Sequence, residues 1–237
     1  METRSVIEMY KEIDNGKREK FPVRTWSKET GIELLRYLIE EKLKWSRDDV
    51  VSNISPAVIS EYHMASLLQL HGGSLFKALD AAYPGEYKPW ELKRVSMGRN
   101  FWTLDKAIEA TKWLIEEHLK WTHVDVCAKL NKDVFRDTSL GYILNRYFSG
   151  APYKAVVAAY PNEYMPWELR NLPKSFWTRQ TILEAVRWLV EEKVGLTFDE
   201  AYNFIDIDTF ERNKLDKLLK FKFDNDPLKA LEYAWRG

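Results

Sequence analysis

The chain has one cysteine, Cys127, in 237 residues, so no disulfide can form within it, which fits a reducing compartment. It has no apolar run of the ~20 residues a membrane-spanning helix needs. Met1 to Lys20 is polar and of mixed charge, with no apolar stretch of the secretory kind. A cytoplasmic protein without membrane contact is therefore expected. Excess charge is also missing: 36 basic residues balance 36 acidic ones. A protein that grips nucleic acid by bulk charge carries a basic surplus, so any such binding must come from a local patch. No GxxxxGK[ST] or GxGxxG run offers a phosphate cradle, and no GxSxG offers a serine nucleophile. Strand-like alternation is weak throughout.

Aromatic rings are abundant, at 14% of the chain with ten tryptophans, and many fall at a fixed interval. Trp26-Ser27, Trp102-Thr103 and Trp177-Thr178 lie 76 and then 75 residues apart. After each comes an amphipathic stretch: IELLRYLIEEKLKW from Ile32, AIEATKWLIEEHLKW from Ala107, ILEAVRWLVEEKVGL from Ile182. Apolar positions such as Ile108, Leu114, Ile115 and Leu119 recur at helical spacing, with the glutamate pairs outside. A second landmark reads LFKALDAAYPGEYKPWEL from Leu75, PYKAVVAAYPNEYMPWEL from Pro152 and PLKALEYAW from Pro227. The prolines of Tyr83–Leu92 and Tyr160–Leu169 prevent a regular helix. These stretches are predicted to be connectors, their Trp90 and Trp167 serving as joints rather than as platforms on which bases stack.

The pattern predicts an all-α protein of three tandem helical repeats of about 75 residues, each with a helix-turn-helix-like core. A helix and linker over 1–25 precede repeats at 26–100, 101–175 and 176–237, the last truncated and capping. Within a repeat the reading is a long helix, two short ones and a closing helix. In the second repeat, Thr122 caps a helix through Leu130, Asn131 and Lys132 break it, and another runs from Thr138 to Tyr147, before Ser149-Gly150.

Through Tyr83-Pro84…Pro89-Trp90-Glu91-Leu92 and Tyr160-Pro161…Pro166-Trp167-Glu168-Leu169, residues 26–237 resemble an uncharacterised family from Bacillus-type bacteria and their phages, with tandem YPxxYxPWEL repeats. That family implies no activity. More loosely, the repeats resemble short helical repeats attached to phage homing endonucleases. Phe148-Ser149-Gly150 through Lys154-Ala155 fits their shape, whereas His71-Gly72-Gly73-Ser74 through Lys77-Ala78 departs at the phenylalanine. This second resemblance implies contact with DNA and a phage or mobile-element setting; it brings no nuclease domain.

No catalytic site is expected. Glu40-Glu41, Glu116-Glu117 and Glu191-Glu192 hold one equivalent place three times, which a catalytic pair has no need to do, and they read as a solvated face. His118, His123 and Cys127 are the only cluster with metal-like spacing, but zinc wants a fourth ligand and the other repeats have nothing comparable. No metal and no cofactor are expected.

The most informative local charge is Arg212, Lys214, Lys217, Lys220 and Lys222, interleaved with leucines and phenylalanines. This segment reads as the second helix of a helix-turn-helix-like pair, the position that enters a major groove. The same helix of the second repeat would present Asn145 and Arg146. Against it, Asp206, Asp208, Glu211, Asp216, Asp224 and Asp226 surround the lysines, and 177–237 holds ten basic and twelve acidic residues. Lys88, Lys93, Arg94 and Arg99 make the first connector basic; Arg170, Lys174 and Arg179 do the same for the second. The expected function is non-enzymatic binding, with DNA as partner through the helix-turn-helix-like units. A protein partner is the alternative, favoured by the balanced charge and the many aromatic rings.

Overall fold

The computed structural model describes residues 5–98, 101–169 and 172–236, and every regular element among them is helical. The chain forms two compact units, one within 1–102 and the other within 103–237. No helix among the described residues is long and apolar enough to cross a membrane.

The first unit begins with α1 (Val6–Asp14), whose Val6, Tyr10 and Ile13 are buried. The Tyr10 ring meets Phe21 and Tyr37, so the N-terminal segment is part of the core. Next is α2 (Lys28–Arg36), opened by the Ser27 hydroxyl, which accepts from Thr30 N. It passes directly into a π-helical segment, Tyr37–Lys42. Three short helices follow: α3 (Arg47–Asn53), α4 (Pro56–Glu61) and α5 (Ala65–Leu70). The closing helix α6 (Leu75–Ala82) packs on α2.

The second unit holds α7 (Leu104–Trp113) with its π-helical continuation Leu114–His118. Then come α8 (His123–Lys129), α9 (Lys132–Asp137), α10 (Gly141–Phe148) and α11 (Pro152–Ala159). It goes on through α12 (Arg179–Arg187) and the π-helical Trp188–Val194. Last are α13 (Phe198–Phe204), α14 (Ile207–Arg212), α15 (Asp216–Lys222) and α16 (Pro227–Arg236). Here α11 packs on α7, and α16 on α12 and α13.

Three short helices, rather than two, stand between each long helix and its closing helix. Asn131 does not break a helix; its side chain accepts from Asp133 N and Val134 N and starts α9. Ser55 and Asp206 start α4 and α14 in the same way. The helix expected from Thr138 starts at Gly141, because Ser139 takes a left-handed backbone (φ 62°) and the Leu140 N–H bonds back to Phe135 O. His63 (φ 60°) and Lys214 (φ 60°) hold the turns after α4 and α14 likewise. In each, a six-to-one backbone bond joins two buried apolar residues: Met64 to Ile59, Leu140 to Phe135, Leu215 to Phe210. This is the Schellman arrangement, with its hydrophobic contact across the turn.

The glutamate pairs are exposed, as expected of a solvated face, and two of the three also take a tyrosine hydroxyl. Tyr83 donates from its hydroxyl to Glu40 (2.8 Å) and Tyr160 to Glu116 (2.7 Å). Burial, with the facing carboxylate, raises both phenol pKa values far above the ordinary range. Arg36 donates to the Ala82 carbonyl and Arg187 to the Ala234 carbonyl, supplying donors to the C-terminal turns of α6 and α16. The long and closing helices are thus tied by polar bonds as well as by core packing.

Candidate binding site, a lysine-rimmed aromatic cavity

The connector motif explains itself locally. Pro166 sets the φ of a 3-10 turn, Pro166–Glu168, and the Glu168 carboxylate accepts from Met165 N at 3.1 Å. In the first unit Glu91 accepts from Lys88 N at 2.7 Å across Pro89–Glu91 and pairs with Arg47. Between proline and glutamate the tryptophan is forced inward. Trp90 stacks on Trp102 at 6.0 Å, and Trp167 meets Trp188 edge-on at 5.6 Å. Both rings are buried.

In the second unit this connector forms one wall of a cavity of about 330 Å³. Trp167, Glu168, Leu169 and Leu172 line it, together with Trp177 beyond the 3-10 turn Lys174–Phe176. Cys127 and Ala128 of α8 contribute, as do Lys214, Asp216, Lys217 and Phe221 from the α14–α15 turn and α15. Lys217 and Phe221 are four residues apart on one helix and share its face, while Leu218 and Leu219 are buried in the core. The Lys174 ammonium lies 4.9 Å from the centre of the Phe221 ring.

The charges about this cavity are unevenly engaged. The Glu168 carboxylate is held by Met165 N and lies 4.0 Å from Lys193. Among the described residues Lys214 and Lys217 form no ion pair. Burial pushes the Cys127 thiol pKa up, and the Lys214 ammonium pulls it back down, so that cation is felt at the cavity wall. The arrangement offers an aromatic-walled cavity whose lining carries three lysines, Lys174, Lys214 and Lys217, and two carboxylates, Glu168 and Asp216. It has no nucleophile–base pair: His118 lies on Trp113, and His123 on Tyr164 at 4.4 Å. Among the described residues no group of three His, Cys, Asp or Glu could hold a metal ion.

The residues singled out from sequence distribute as follows. Lys214 and Lys217 line the cavity, but Lys214 sits in the turn and not on the helix. Lys220 and Lys222 are exposed on α15 outside the cavity lining. Arg212 donates to the Asp208 carbonyl of its own helix. Asn145 and Arg146 are exposed on α10. In the first unit Lys88 is half-buried and Arg94 exposed, and Lys93 donates from its backbone N–H to Val51 O. Arg99 and Arg170 lie outside the described residues. Sequence reasoning missed Trp177, Phe221 and Cys127 as walls. The Lys217–Phe221 spacing was the available signal, but Phe221 reads as core and is instead 47% exposed.

No curated protein and no solved structure matches the chain. Residues 6–88 match the model of a family described as a protein of unknown function (DUF4046). The match covers α1 to α6 and the start of the first connector, including Tyr83-Pro84 and Tyr87. Over that stretch the chain is similar to an uncharacterised family, and the cavity lies beyond it.

Proposed function

We propose that this is a non-enzymatic helical-repeat protein that binds DNA, with three repeats of about 75 residues and a helix-turn-helix-like pair in each. The repeat reading rests on local features that recur 76 and then 75 residues apart. Ser46, Thr122 and Thr197 each open a helix with a reciprocal cap. Lys44, Lys120 and Gly195 each hold a left-handed residue after a π-helical segment, and His63, Ser139 and Lys214 each hold one in the next turn. Such agreement at backbone level is what tandem copies of one fold produce. The pairs α4–α5, α9–α10 and α14–α15 are the helix-turn-helix-like cores. A setting in phage or mobile elements, carried over from the sequence resemblances, and a cytoplasmic location, suggested by the single cysteine, belong to the same proposal.

The DNA reading rests on one observation: Lys174, Lys214 and Lys217 converge on the same aromatic cavity, the last two free of ion pairs among the described residues. Unpaired ammonium groups on an overall neutral protein give it a local site for phosphate oxygens. Fluorescence anisotropy of a labelled random 20-base-pair duplex at low salt tests it. Micromolar binding that weakens log-linearly with salt is expected. Absence of binding at low salt would remove the DNA reading and favour a protein partner. That second reading draws on exposed apolar side chains, Phe204 at 72% and Val124 at 72%.

A further inference from the structure

We infer that the cavity beneath Lys214 and Lys217 is a pocket for one unstacked nucleobase, so that the protein prefers single-stranded DNA to duplex. This deepens the DNA reading above and rests on it. Three features of the cavity carry the inference. Its size, about 330 Å³, suits a planar ring system and is far too small for a groove-width of duplex. Its walls include three aromatic rings, Trp167, Trp177 and Phe221, which are the surfaces on which single-strand binders stack bases. Its rim carries the cations, with Lys174 on the Phe221 ring and Lys214 and Lys217 without an ion pair among the described residues, where the phosphates flanking an inserted base would run.

A duplex offers its bases edge-on and keeps their faces stacked, so it could use the lysines but not the cavity. A single strand can use both. The fold supports the cavity from behind: Leu218 and Leu219 of α15 are buried, Phe210 and Leu215 close the α14–α15 turn, and Trp167 is fixed by Pro166 and Glu168. Phe221 is the accessible ring of the three, nearly half exposed, with the Lys174 ammonium over it.

The test compares a labelled sixteen-residue oligothymidylate with a duplex of equal length, for the wild-type chain and for Phe221→Ala. Thermal melting of the variant checks its fold, which the exposure of Phe221 should leave intact. The single strand is expected to bind about tenfold more tightly than the duplex, and Phe221→Ala to lose about tenfold for the single strand while duplex binding changes less than twofold. Lys214→Gly, which suits the left-handed backbone there, should weaken both. Equal affinity for the two forms, or a Phe221→Ala variant that binds the single strand as well as wild type, would overturn the base pocket and leave DNA binding standing. Failure of both probes to bind at low salt would overturn the DNA reading itself.

Discussion

Single residues show where the backbone is strained and which side chains relieve it. Lys44 and Lys120 hold φ of 50° and 51° at turns where Gly195 holds 78°. A left-handed backbone costs a non-glycine residue about 1–2 kcal/mol, against roughly 0.5–1 kcal/mol of extra chain entropy for glycine. Lys120→Gly is therefore expected to raise stability by about 0.5–1 kcal/mol in a urea titration; a loss would mean that the lysine side chain contributes more than its strain costs. Cys127 is buried, and its thiol is pushed toward the neutral form by desolvation. It should react with a thiol-specific chromogenic reagent at pH 8 far more slowly than it does in the urea-unfolded chain. Equal rates would show the α8 wall of the cavity to be open. At this scale the sequence spoke unevenly. Caps such as Thr122 were legible because Ser, Thr and Asp before an apolar run have one mechanism. Lys214 was not: nothing in its neighbours marks a left-handed lysine, and helical periodicity counts it as one more turn of α15.

Among the elements, the long helix and the closing helix hold each helical group together. Trp113 and Trp188 sit where α7 and α12 pass into their π-helical segments, and both are more than nine-tenths buried. Replacing either by Ala is expected to cost about 3–5 kcal/mol; an unchanged melting temperature would place those rings on the surface. The reciprocal caps make a second expectation. Asp49, Asp125 and Glu200 accept from Ser46, Thr122 and Thr197 at the starts of α3, α8 and α13. These bonds lower all three carboxyl pKa values, and Lys129, with Thr122, brings Asp125 to about 2. A carboxylate with a lowered folded pKa stabilises the fold above its unfolded value, and the contribution is lost as pH falls through the folded one. Stability should thus decline between about pH 4.5 and pH 2, and Asp125→Asn should flatten the lower part of that decline. A profile unchanged by the substitution would remove the cap from the acid transition. The long and closing helices were readable from apolar spacing, yet the π-helical turns and α9 were not. One widened turn shifts the phase of an apolar stripe by less than the stripe's width. Six-residue helices are too short for a period, and Asn131 reads equally as a stop and a start.

For the whole molecule, balanced charge says that binding depends on which lysines stand unpaired together, and that is a property of the fold. Lys174 and Lys217 are 43 positions apart in the sequence. The connector brings Lys174 to Phe221, and the α14–α15 turn brings Lys214 and Lys217 to the same opening. The sequence marked the basic segment and the second connector separately but gave no means of joining them into one site. The most direct measurement is the slope of log affinity against log salt for the random duplex, with wild type and with Lys214→Gly/Lys217→Ser. Loss of two phosphate contacts should reduce the slope by about 1.8 and weaken binding at every salt concentration. An unchanged slope in a folded variant would place the DNA contact elsewhere and contradict a binding site at this cavity.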